Sequence, residues 1–190
     1  MPSNGSKKLV GILALQGDFE AHEKALVAAG ANTLQVRTAE DLKRVDGLII
    51  PGGESTTMLK LLGYMDMLEP LRRFADEKPI FGTCAGAILL ANEVQSPKQH
   101  SLEAIDMTIE RNGYGRQIDS RVATIDYEGK PLEAVFIRAP IIRRTGPSVK
   151  VLAEYEGTPV LIEEGKHLAS TFHPELTGDS RVHELFLRKI

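Results

Sequence analysis

Several features that mark particular classes of protein are scarce or absent in this sequence. There is one cysteine, Cys84, which excludes an intrachain disulfide and any metal site built from several cysteines. The longest apolar runs, such as residues 87–91, are far shorter than the roughly 18 residues of a membrane-spanning helix. Lysine and arginine (23) nearly balance aspartate and glutamate (26), and the net charge of −3 gives no electrostatic reason to bind nucleic acid or an anionic membrane.

The start of the chain, residues 1–8, is polar and leads straight into a short apolar run. It lacks the apolar core of about 7–15 residues and the small-residue cleavage site of a secretory signal. We therefore predict a disordered leader over residues 1–8 and a single domain over residues 9–190, which is within the usual size of one domain. The expected compartment is the cytoplasm, where a lone thiol stays reduced.

The first half of the chain alternates strand-like and helix-like segments. Nearly continuous apolar runs are typical of strands buried on both faces, and apolar residues at spacings of three and four indicate helices. This β-α-β-α order predicts a three-layer α/β fold of the flavodoxin-like kind, in which a mostly parallel, twisted sheet has helices on both faces. The predicted strands are residues 9–15, 33–37, 47–50 and 79–81, and the predicted helices are residues 19–29, 55–62, 66–76 and 85–91.

The second half contains short strand-like runs separated by turn residues, and it ends in a helical segment. We predict that these runs are mixed or antiparallel strands that continue the same sheet. They comprise residues 105–109, 121–125, 134–138, 149–155, 160–163 and 167–172, and the last helix spans residues 179–190.

A strand–turn–helix segment at residues 82–86 contains a candidate nucleophile. Cys84 has a glycine two positions away on each side, which is the G-x-nucleophile-x-G elbow with cysteine in place of serine. Such a turn strains the backbone of its central residue and brings neighbouring chain close, so the glycines leave the necessary space. The N–H of Ala85, in the first turn of the helix, would be free to bind an oxyanion. The alternative is a buried structural cysteine.

A candidate base, and a group to orient it, follow the last strand-like run. A thiol nucleophile needs both, and His173 and Glu175 can supply them. In an extended chain residues i and i+2 point to the same side, and Pro174 favours extended angles for the histidine before it. The glutamate would then accept from one imidazole nitrogen and leave the other facing Cys84. The alternative is a histidine at a surface strand end with an acidic neighbour.

A glycine pair at residues 52–53 follows the third predicted strand and leads into Glu54 and Ser55. Paired glycines let the backbone flip and bring N–H groups close to a ligand, although a plain turn before a capped helix would look the same. The segment is not a P-loop, because the GxxxxGK[ST] pattern is absent. Loops at the carboxyl ends of parallel strands meet in one crevice, so this loop, the cysteine elbow and His173 are predicted to face one another.

Together these three segments resemble the triad-type (class I) glutamine amidotransferases, and more closely the glutaminase subunits of pyridoxal 5′-phosphate synthase, the PdxT family. The motifs PGGES and HPE are common to the class, whereas RNxxGRQ and FIRAP are far more specific. The matches are spread over nearly the whole chain. They lie in residues 15–17, 51–55, 82–86, 110–112, 115–117, 136–140 and 172–176.

The resemblance implies a role for each matching residue. Cys84 would be the nucleophile, His173 the base and Glu175 the orienting carboxylate. The backbone N–H groups of Gly53 and Ala85 would form the oxyanion hole. The family uses no metal and no bound cofactor in this subunit. By the same resemblance, the glutamine-binding residues would be Gly53, Glu54, Ser55, Arg111, Ile137 and Arg138.

The function that the resemblance implies is hydrolysis of L-glutamine to L-glutamate and ammonia through a cysteinyl thioester. The implied partner is a (β/α)₈-barrel synthase subunit of the PdxS type, which would receive the ammonia and make pyridoxal 5′-phosphate, vitamin B6. Gln16 and Gly52 are candidates for coupling partner docking to activity. Two alternatives stay open: a different hydrolase with a cysteine elbow, such as a peptidase relative, and a non-enzymatic subunit that uses the fold for docking. The remaining histidines, which are predicted to be structural or solvated, are His22, His100, His167 and His183.

Overall fold

A seven-stranded sheet forms the centre of the computed structural model, which describes residues 8–112 and 120–190. Residues 1–7 of the predicted leader lie outside this range. Five neighbouring strands of the sheet pair in parallel, and two further strands at one edge are added through antiparallel pairings. Side by side, the strands are β10 (Lys150–Tyr155), β11 (Thr158–Glu164), β12 (His167–Ser170), β4 (Ile80–Thr83), β3 (Gly47–Ile50), β1 (Leu9–Leu13) and β2 (Asn32–Val36).

Helices cover both faces of the central sheet, as the sequence predicted. Successive residues of a strand point to opposite faces, so Ile49 is buried in one core and Ile50 in the other. The first and last helices bury Leu26 and Phe186 in the core of one face, and the remaining helices bury residues such as Met58 in the core of the other. In chain order, the helices are α1 (Phe19–Ala28), α2 (Ala39–Lys43), α3 (Ser55–Tyr64), α4 (Leu68–Glu77), α5 (Ala85–Leu90) and α6 (Arg181–Leu187).

The prediction that all strands of the second half continue the central sheet was wrong. Only β10, β11 and β12 join it, while the other strands form a separate three-stranded sheet and a hairpin. The separate sheet has the order β5 (Ala91–Gln95), β6 (Ile105–Glu110) and β9 (Ile141–Thr145), and the hairpin pairs β7 (Ser120–Tyr127) with β8 (Lys130–Ile137).

The burial of β6 gives the physical reason for this difference. Its alternate residues Ile105, Met107 and Ile109 are fully buried in the same core as the residues of α3, α4 and α5. The small sheet therefore covers a helical face of the molecule instead of extending an edge of the main sheet. A period-two pattern shows that one face of a strand is buried, but it does not show which element buries that face.

Short elements were also missed by the sequence prediction, among them α2, β5 and β9. Helix α2 has only five residues and owes its start to a capping box, in which Thr38 and Asp41 each accept a hydrogen bond from the backbone N–H of the other. Helices of this length bury one or two side chains, here Leu42, and leave no helical period to detect. No helix in the described ranges is long and apolar enough to cross a membrane.

Candidate active site

Four parallel strands, β1, β3, β4 and β12, bring their carboxyl ends to one cavity of about 380 Å³. This is the edge at which open α/β sheets bind their ligands. The cavity brings together all the predicted site residues except Glu175, which lies directly behind His173, and Ala85. Its lining residues are Gln16, Gly17, Asp18, Gly52, Gly53, Glu54, Ser55, Cys84, Ile88, Arg111, Asn112, Ile137, Arg138, His173 and Leu176.

The cysteine elbow has the geometry that its glycines predict. Cys84 has φ = +50° and ψ = −104°, in the region of positive φ that costs a non-glycine residue energy. A methyl group on Gly82 would lie 2.5 Å from the Gly86 carbonyl, and one on Gly86 would overlap the carbonyl oxygen of Ile50 in β3. The Cys84 N–H donates to the Ser170 carbonyl of β12 over 2.8 Å, which ties the elbow to the neighbouring strand.

The Cys84 side chain and the His173 imidazole lie side by side against Gly52, and Cys84 is close enough to raise the pKa of the imidazole. Gly52 packs against both, because a methyl group at this position would overlap His173 Cε1 and lie 3.5 Å from Cys84 Cβ. The Cys84 Sγ also lies 3.9 Å from the Ile137 carbonyl oxygen. Two residues that are 89 positions apart in the sequence are thus held together by the loops of three strands.

His173 is oriented by Glu175, as predicted, but by a different local structure. Its Nδ1 lies 2.7 Å from Glu175 Oε1, and both side chains are buried. The prediction assumed an extended chain, whereas residues Pro174–Leu176 form a 3₁₀ turn that begins immediately after His173. The His173 N–H donates to the Val135 carbonyl of β8 over 2.8 Å, so the hairpin fixes the base from the other side.

The electrostatic environment of His173 favours its charged form. Burial by itself would lower the pKa of this imidazole, because a charge loses hydration there. The interaction with Cys84, the hydrogen bond that the imidazole donates to Glu175, and the charges of these two groups overcome the effect of burial and raise the pKa of His173 to about 10. The site therefore favours a protonated imidazole beside the Glu175 carboxylate.

Glu54 caps the helix that follows the glycine pair. Its carboxylate accepts hydrogen bonds from the backbone N–H groups of Thr56 and Thr57 and from the Thr57 hydroxyl. Burial opposes the charge, but these hydrogen bonds prevail and lower the pKa of Glu54 to about 2. Arg111 adds an ion pair at 3.2 Å and donates to the Thr56 hydroxyl over 2.8 Å. Glu54 and Arg111 thus form one charged wall of the cavity.

The rest of the predicted glutamine-binding set lies around this wall. Ser55 lines the cavity but is buried, and its hydroxyl donates to Gln99 Oε1 over 3.1 Å. Ile137 is the last residue of β8 and Arg138, with φ = +43°, follows it, and both line the cavity. Residues 115–117 of the RNxxGRQ segment lie outside the described residues.

Gln16 connects the end of β1 to the glycine pair. Its Oε1 accepts from the Glu54 N–H over 3.0 Å, and its side-chain amide occupies the space that a methyl group on Gly53 would need. Gly53 itself has φ = +153°, and Gly17 lies so close to the Gly52 carbonyl oxygen that no side chain fits there. The loops after β1 and β3 are therefore packed as one unit.

His22 and His183 are the residues at this site that sequence reasoning missed. Both are fully buried behind Glu175, and His22 Nε2 lies 3.4 Å from Glu175 Oε2. His22 recurs with Leu26 on the buried stripe of α1, and that pattern is equally typical of a packed core histidine. One signal could have pointed to them: a histidine at a buried helix position needs a polar partner, because burying an unpaired imidazole costs free energy. Here the two histidines, 161 positions apart in the sequence, are partners of each other.

The described ranges hold no group of three or more histidine, cysteine, aspartate or glutamate side chains arranged to bind a metal ion. The groups that come together at the cavity are a thiol, an imidazole and a carboxylate, which is the set that an activated thiol nucleophile requires.

Comparison of the sequence with known proteins places it among glutamine amidotransferases. Residues 12–190 match the SNO glutamine amidotransferase family. The chain is 56% identical over 191 residues to the pyridoxal 5′-phosphate synthase subunit PdxT of Solibacter usitatus, with 96% of this chain and 100% of that protein covered. It is 54% identical over 183 residues to the subunit of the same name from Koribacter versatilis, with 95% of each covered.

Solved structures confirm the predicted fold class and family. A crystal structure described as a glutamine amidotransferase superposes with a TM-score of 0.89 at 46% identity, over 95% of this chain and 97% of that one. The structure of PurLQS from Thermotoga maritima shares the fold with a TM-score of 0.68 at 15% identity, over 96% of this chain and 98% of that one. On the strength of the matched residues and of these identities, the chain belongs to the SNO glutamine amidotransferase family.

Proposed function

We propose that this chain is the glutaminase subunit of a pyridoxal 5′-phosphate synthase and hydrolyses L-glutamine to L-glutamate and ammonia. One observation carries the proposal: the Cys84 side chain adjoins the His173 imidazole at the cavity, and on its other side the His173 Nδ1 lies 2.7 Å from the Glu175 carboxylate. Membership of a glutamine amidotransferase family and the high identity to proteins named PdxT support the choice of substrate and pathway.

The first half of the reaction transfers the γ-glutamyl group to sulfur. The raised pKa of His173 draws the thiol proton onto the imidazole, which leaves Cys84 as a thiolate. The thiolate attacks the side-chain amide carbon, and a C–S bond forms. His173 then gives its proton to the amide nitrogen as the C–N bond breaks, so that ammonia leaves and a thioester remains.

The second half returns the enzyme to its starting state. His173, now neutral, takes a proton from water, which attacks the thioester carbon. The C–S bond breaks, the thiolate is regained and L-glutamate is released. Glu175 stabilises the imidazolium in both halves, because its carboxylate accepts the Nδ1 proton over 2.7 Å.

The oxyanion of both tetrahedral intermediates would be bound by backbone N–H groups. Ala85 is the first residue of α5 and its N–H has no intrahelical partner, while Gly53 supplies the second N–H from the opposite loop. Removing one such donor costs about 10²–10³ in kcat in comparable acyl-transfer sites. Because Gly53 belongs to the unit that Gln16 holds, its N–H is the donor whose position can depend on a partner.

The ends of the glutamine molecule would meet the charged walls of the cavity. Glu54 is a carboxylate at neutral pH and can pair with the α-ammonium group, while Arg111 and Arg138 supply positive charge for the α-carboxylate. Gly53, Ser55 and Ile137 would shape the space between these charges and the sulfur.

Ammonia released here is most useful to an acceptor enzyme in direct contact, because free ammonia equilibrates with ammonium, which is a poor nucleophile. The proposed acceptor is the (β/α)₈-barrel synthase subunit of the PdxS type, in a cytoplasmic complex in which residues 9–190 act as one domain. Gln16 and Gly52 are the proposed links between docking and activity, so the isolated subunit is expected to be a weak glutaminase.

Glutamate release, measured with and without the PdxS-type partner, tests the proposal. Cys84→Ala and His173→Asn should each lower the rate with the partner by at least about 10³-fold, because nucleophile and base act as a unit. A glutamine-analogue electrophile should label Cys84 stoichiometrically. If Cys84→Ala keeps more than a few per cent of the activity, the assignment of the nucleophile is wrong.

A further inference from the structure

A row of buried histidines lies on the far side of Glu175 from His173. The His22 Nε2 is 3.4 Å from Glu175 Oε2 and 3.1 Å from the Thr83 hydroxyl oxygen. The His22 Nδ1 is 3.0 Å from His183 Nε2. These four side chains come from the 3₁₀ turn, α1, β4 and α6, so the row exists only in the folded chain.

The ends of this row fix which nitrogens carry protons. A carboxylate oxygen only accepts, so the nitrogen that faces Glu175 is best occupied by a proton, which places a proton on His22 Nε2. His22 Nδ1 then accepts, and His183 must donate through its Nε2. In the part of the chain that the structure describes, His183 Nδ1 has no hydrogen-bond partner, which fits a lone pair in an apolar site better than an N–H group.

Both supporting histidines are neutral at neutral pH. Phe81 lies edge-on to the rings of His22 and His183, and all three are fully buried. Burial, followed by the nearby His183 and His173, holds the pKa of His22 well below its usual range, and burial lowers the pKa of His183 to about 4. A neutral His22 gives Glu175 a donor without adding a positive charge that would compete with the imidazolium of His173.

The second oxygen of Glu175 depends on this donor. Within the described residues, Glu175 Oε2 is buried and has no hydrogen-bond partner, and the nitrogen His22 Nε2 lies 3.4 Å from it, just beyond the ordinary hydrogen-bond range. Catalytic hydrogen bonds are often long in the free enzyme and tighten when substrate binds. An unanchored carboxylate could rotate and present the wrong oxygen to His173.

We propose that His22, held in place by His183, is a positioning residue that fixes the orientation of the Glu175 carboxylate toward His173. The inference rests on the proposed function, since it assigns a support to the same triad. It extends that function by adding two residues behind the triad, so that five side chains in a row, from Cys84 to His183, contribute to catalysis.

Two substitutions of His22 separate positioning from packing. In His22→Gln the side-chain amide N–H can reach the place of Nε2 and donate to Glu175, whereas in His22→Asn the amide is too short to do so. With the PdxS-type partner present, His22→Asn should lower kcat for glutamine about 10- to 100-fold with KM within about twofold, and His22→Gln should stay within about fivefold of the unchanged protein. Outer-layer hydrogen-bond partners in other active sites have effects of this size.

Activity is counted per site that a glutamine-analogue electrophile labels at Cys84, so that loss of folded protein does not imitate loss of catalysis. His167→Leu is the matched control, because His167 is also buried but lies at the amino end of β12 and its Nδ1 accepts from the Ile80 N–H. It should lower the melting temperature with kcat per labelled site unchanged. If His22→Asn and His22→Gln fail to fold, His183→Asn and His183→Gln provide the same test one step back in the row, because only the Gln amide reaches the place of the Nε2 that holds His22. His183→Asn should lower kcat per labelled site and His183→Gln should not, and equal values in the two would overturn the inference.

The Nδ1 proton of His173 gives a readout that packing alone would not move. In the unchanged protein and in His22→Gln it should resonate far downfield in the NMR spectrum, and in His22→Asn it should broaden or shift upfield. Equal kcat per labelled site in His22→Asn and His22→Gln, or an unchanged Nδ1 resonance in both, would overturn the inference. If the protein without any substitution releases no glutamate from glutamine when its partner is present, the proposed function is overturned instead.

Discussion

Two buried histidines at opposite ends of the same segment behave in opposite ways. His167 begins β12 and His173 follows its carboxyl end by three residues. Burial lowers the pKa of His167 to about 4, with a further contribution from the charge of Lys166, whereas the partners of His173 raise its pKa to about 10 in spite of burial. Burial is common to both, so the difference comes from the thiol and the carboxylate. The pKa values of the other buried imidazoles, His22 and His183, are lowered as well, so His173 alone among these four has a raised pKa.

The largest loss of activity is expected when the negative charge of Glu175, which His173 has beside it and His167 lacks, is removed. Glu175→Gln keeps an acceptor for the His173 Nδ1 proton but removes the negative charge at 2.7 Å. The pKa of His173 should fall from about 10, and kcat for glutamine with the partner present should drop about 10²–10⁴-fold. NMR titration of the His173 ring and the rate of glutamate release are the measurements. A loss of less than tenfold would show that Glu175 is not the orienting carboxylate.

A smaller loss of activity is expected when a methyl group is added at Gly52, beside the His173 imidazole. In Gly52→Ala the added methyl group would overlap His173 Cε1 and push the imidazole away from Cys84. Misplacement of a catalytic group by about 1 Å can cost 10²-fold, so we expect kcat to fall about 10- to 100-fold. The control is Gly178→Ala, because a methyl group at Gly178 meets nothing within 4 Å. If both variants keep full activity, the contact between Gly52 and the base has no functional consequence.

The smallest effect concerns the amino end of β12 and appears in stability alone. His167 has a folded pKa of about 4, below its usual value of 6.5, so its contribution to stability is complete above pH 6.5 and is lost as the pH falls toward 4. His167→Asn keeps an acceptor for the Ile80 N–H but does not titrate. Urea unfolding between pH 4 and pH 7 should therefore show a shallower acid decline, by on the order of 1–2 kcal/mol. His22 and His183 leave part of the decline in place.

The catalytic rate should also distinguish His167, at the amino end of β12, from His173, beyond its carboxyl end. His167→Asn should leave kcat and its pH dependence unchanged, because β12 lies between this residue and the cavity. An acid decline parallel to that of the unchanged protein would mean that His167 is already free to protonate in the folded state.

The elbow and the base with its carboxylate could be placed from sequence because their geometry is local. The glycines around Cys84 indicate a turn with no room for side chains. The structure agrees, because a methyl group on Gly82 would meet Gly86 and one on Gly86 would meet Ile50. His173 and Glu175 are close in sequence, and any turn that keeps both side chains on one side brings them together. Their catalytic roles stay a prediction, while the family and the α/β fold are confirmed by the comparisons.

The features that sequence reasoning missed depend on distant segments meeting. His22 joins the site only because α1 and α6 pack side by side on the face of the sheet to which Thr83 points. The sheet of β5, β6 and β9 lies over a helical face because its apolar residues are buried there, and no local pattern records that choice. Spacing along the chain specifies a turn or a helix face, but not the element that will cover it.

The close packing around the cysteine elbow bears on which parts of the site can move when a partner docks. Gly82 and Gly86 lie against neighbouring backbone and the Cys84 N–H is bonded across to β12, so the backbone of the elbow has little room to move. We therefore expect a change from a resting to an active form in the wall made by Gln16 and the glycine pair. Engineers who wish to uncouple this catalyst from its partner should alter that wall and leave the nucleophile's turn untouched.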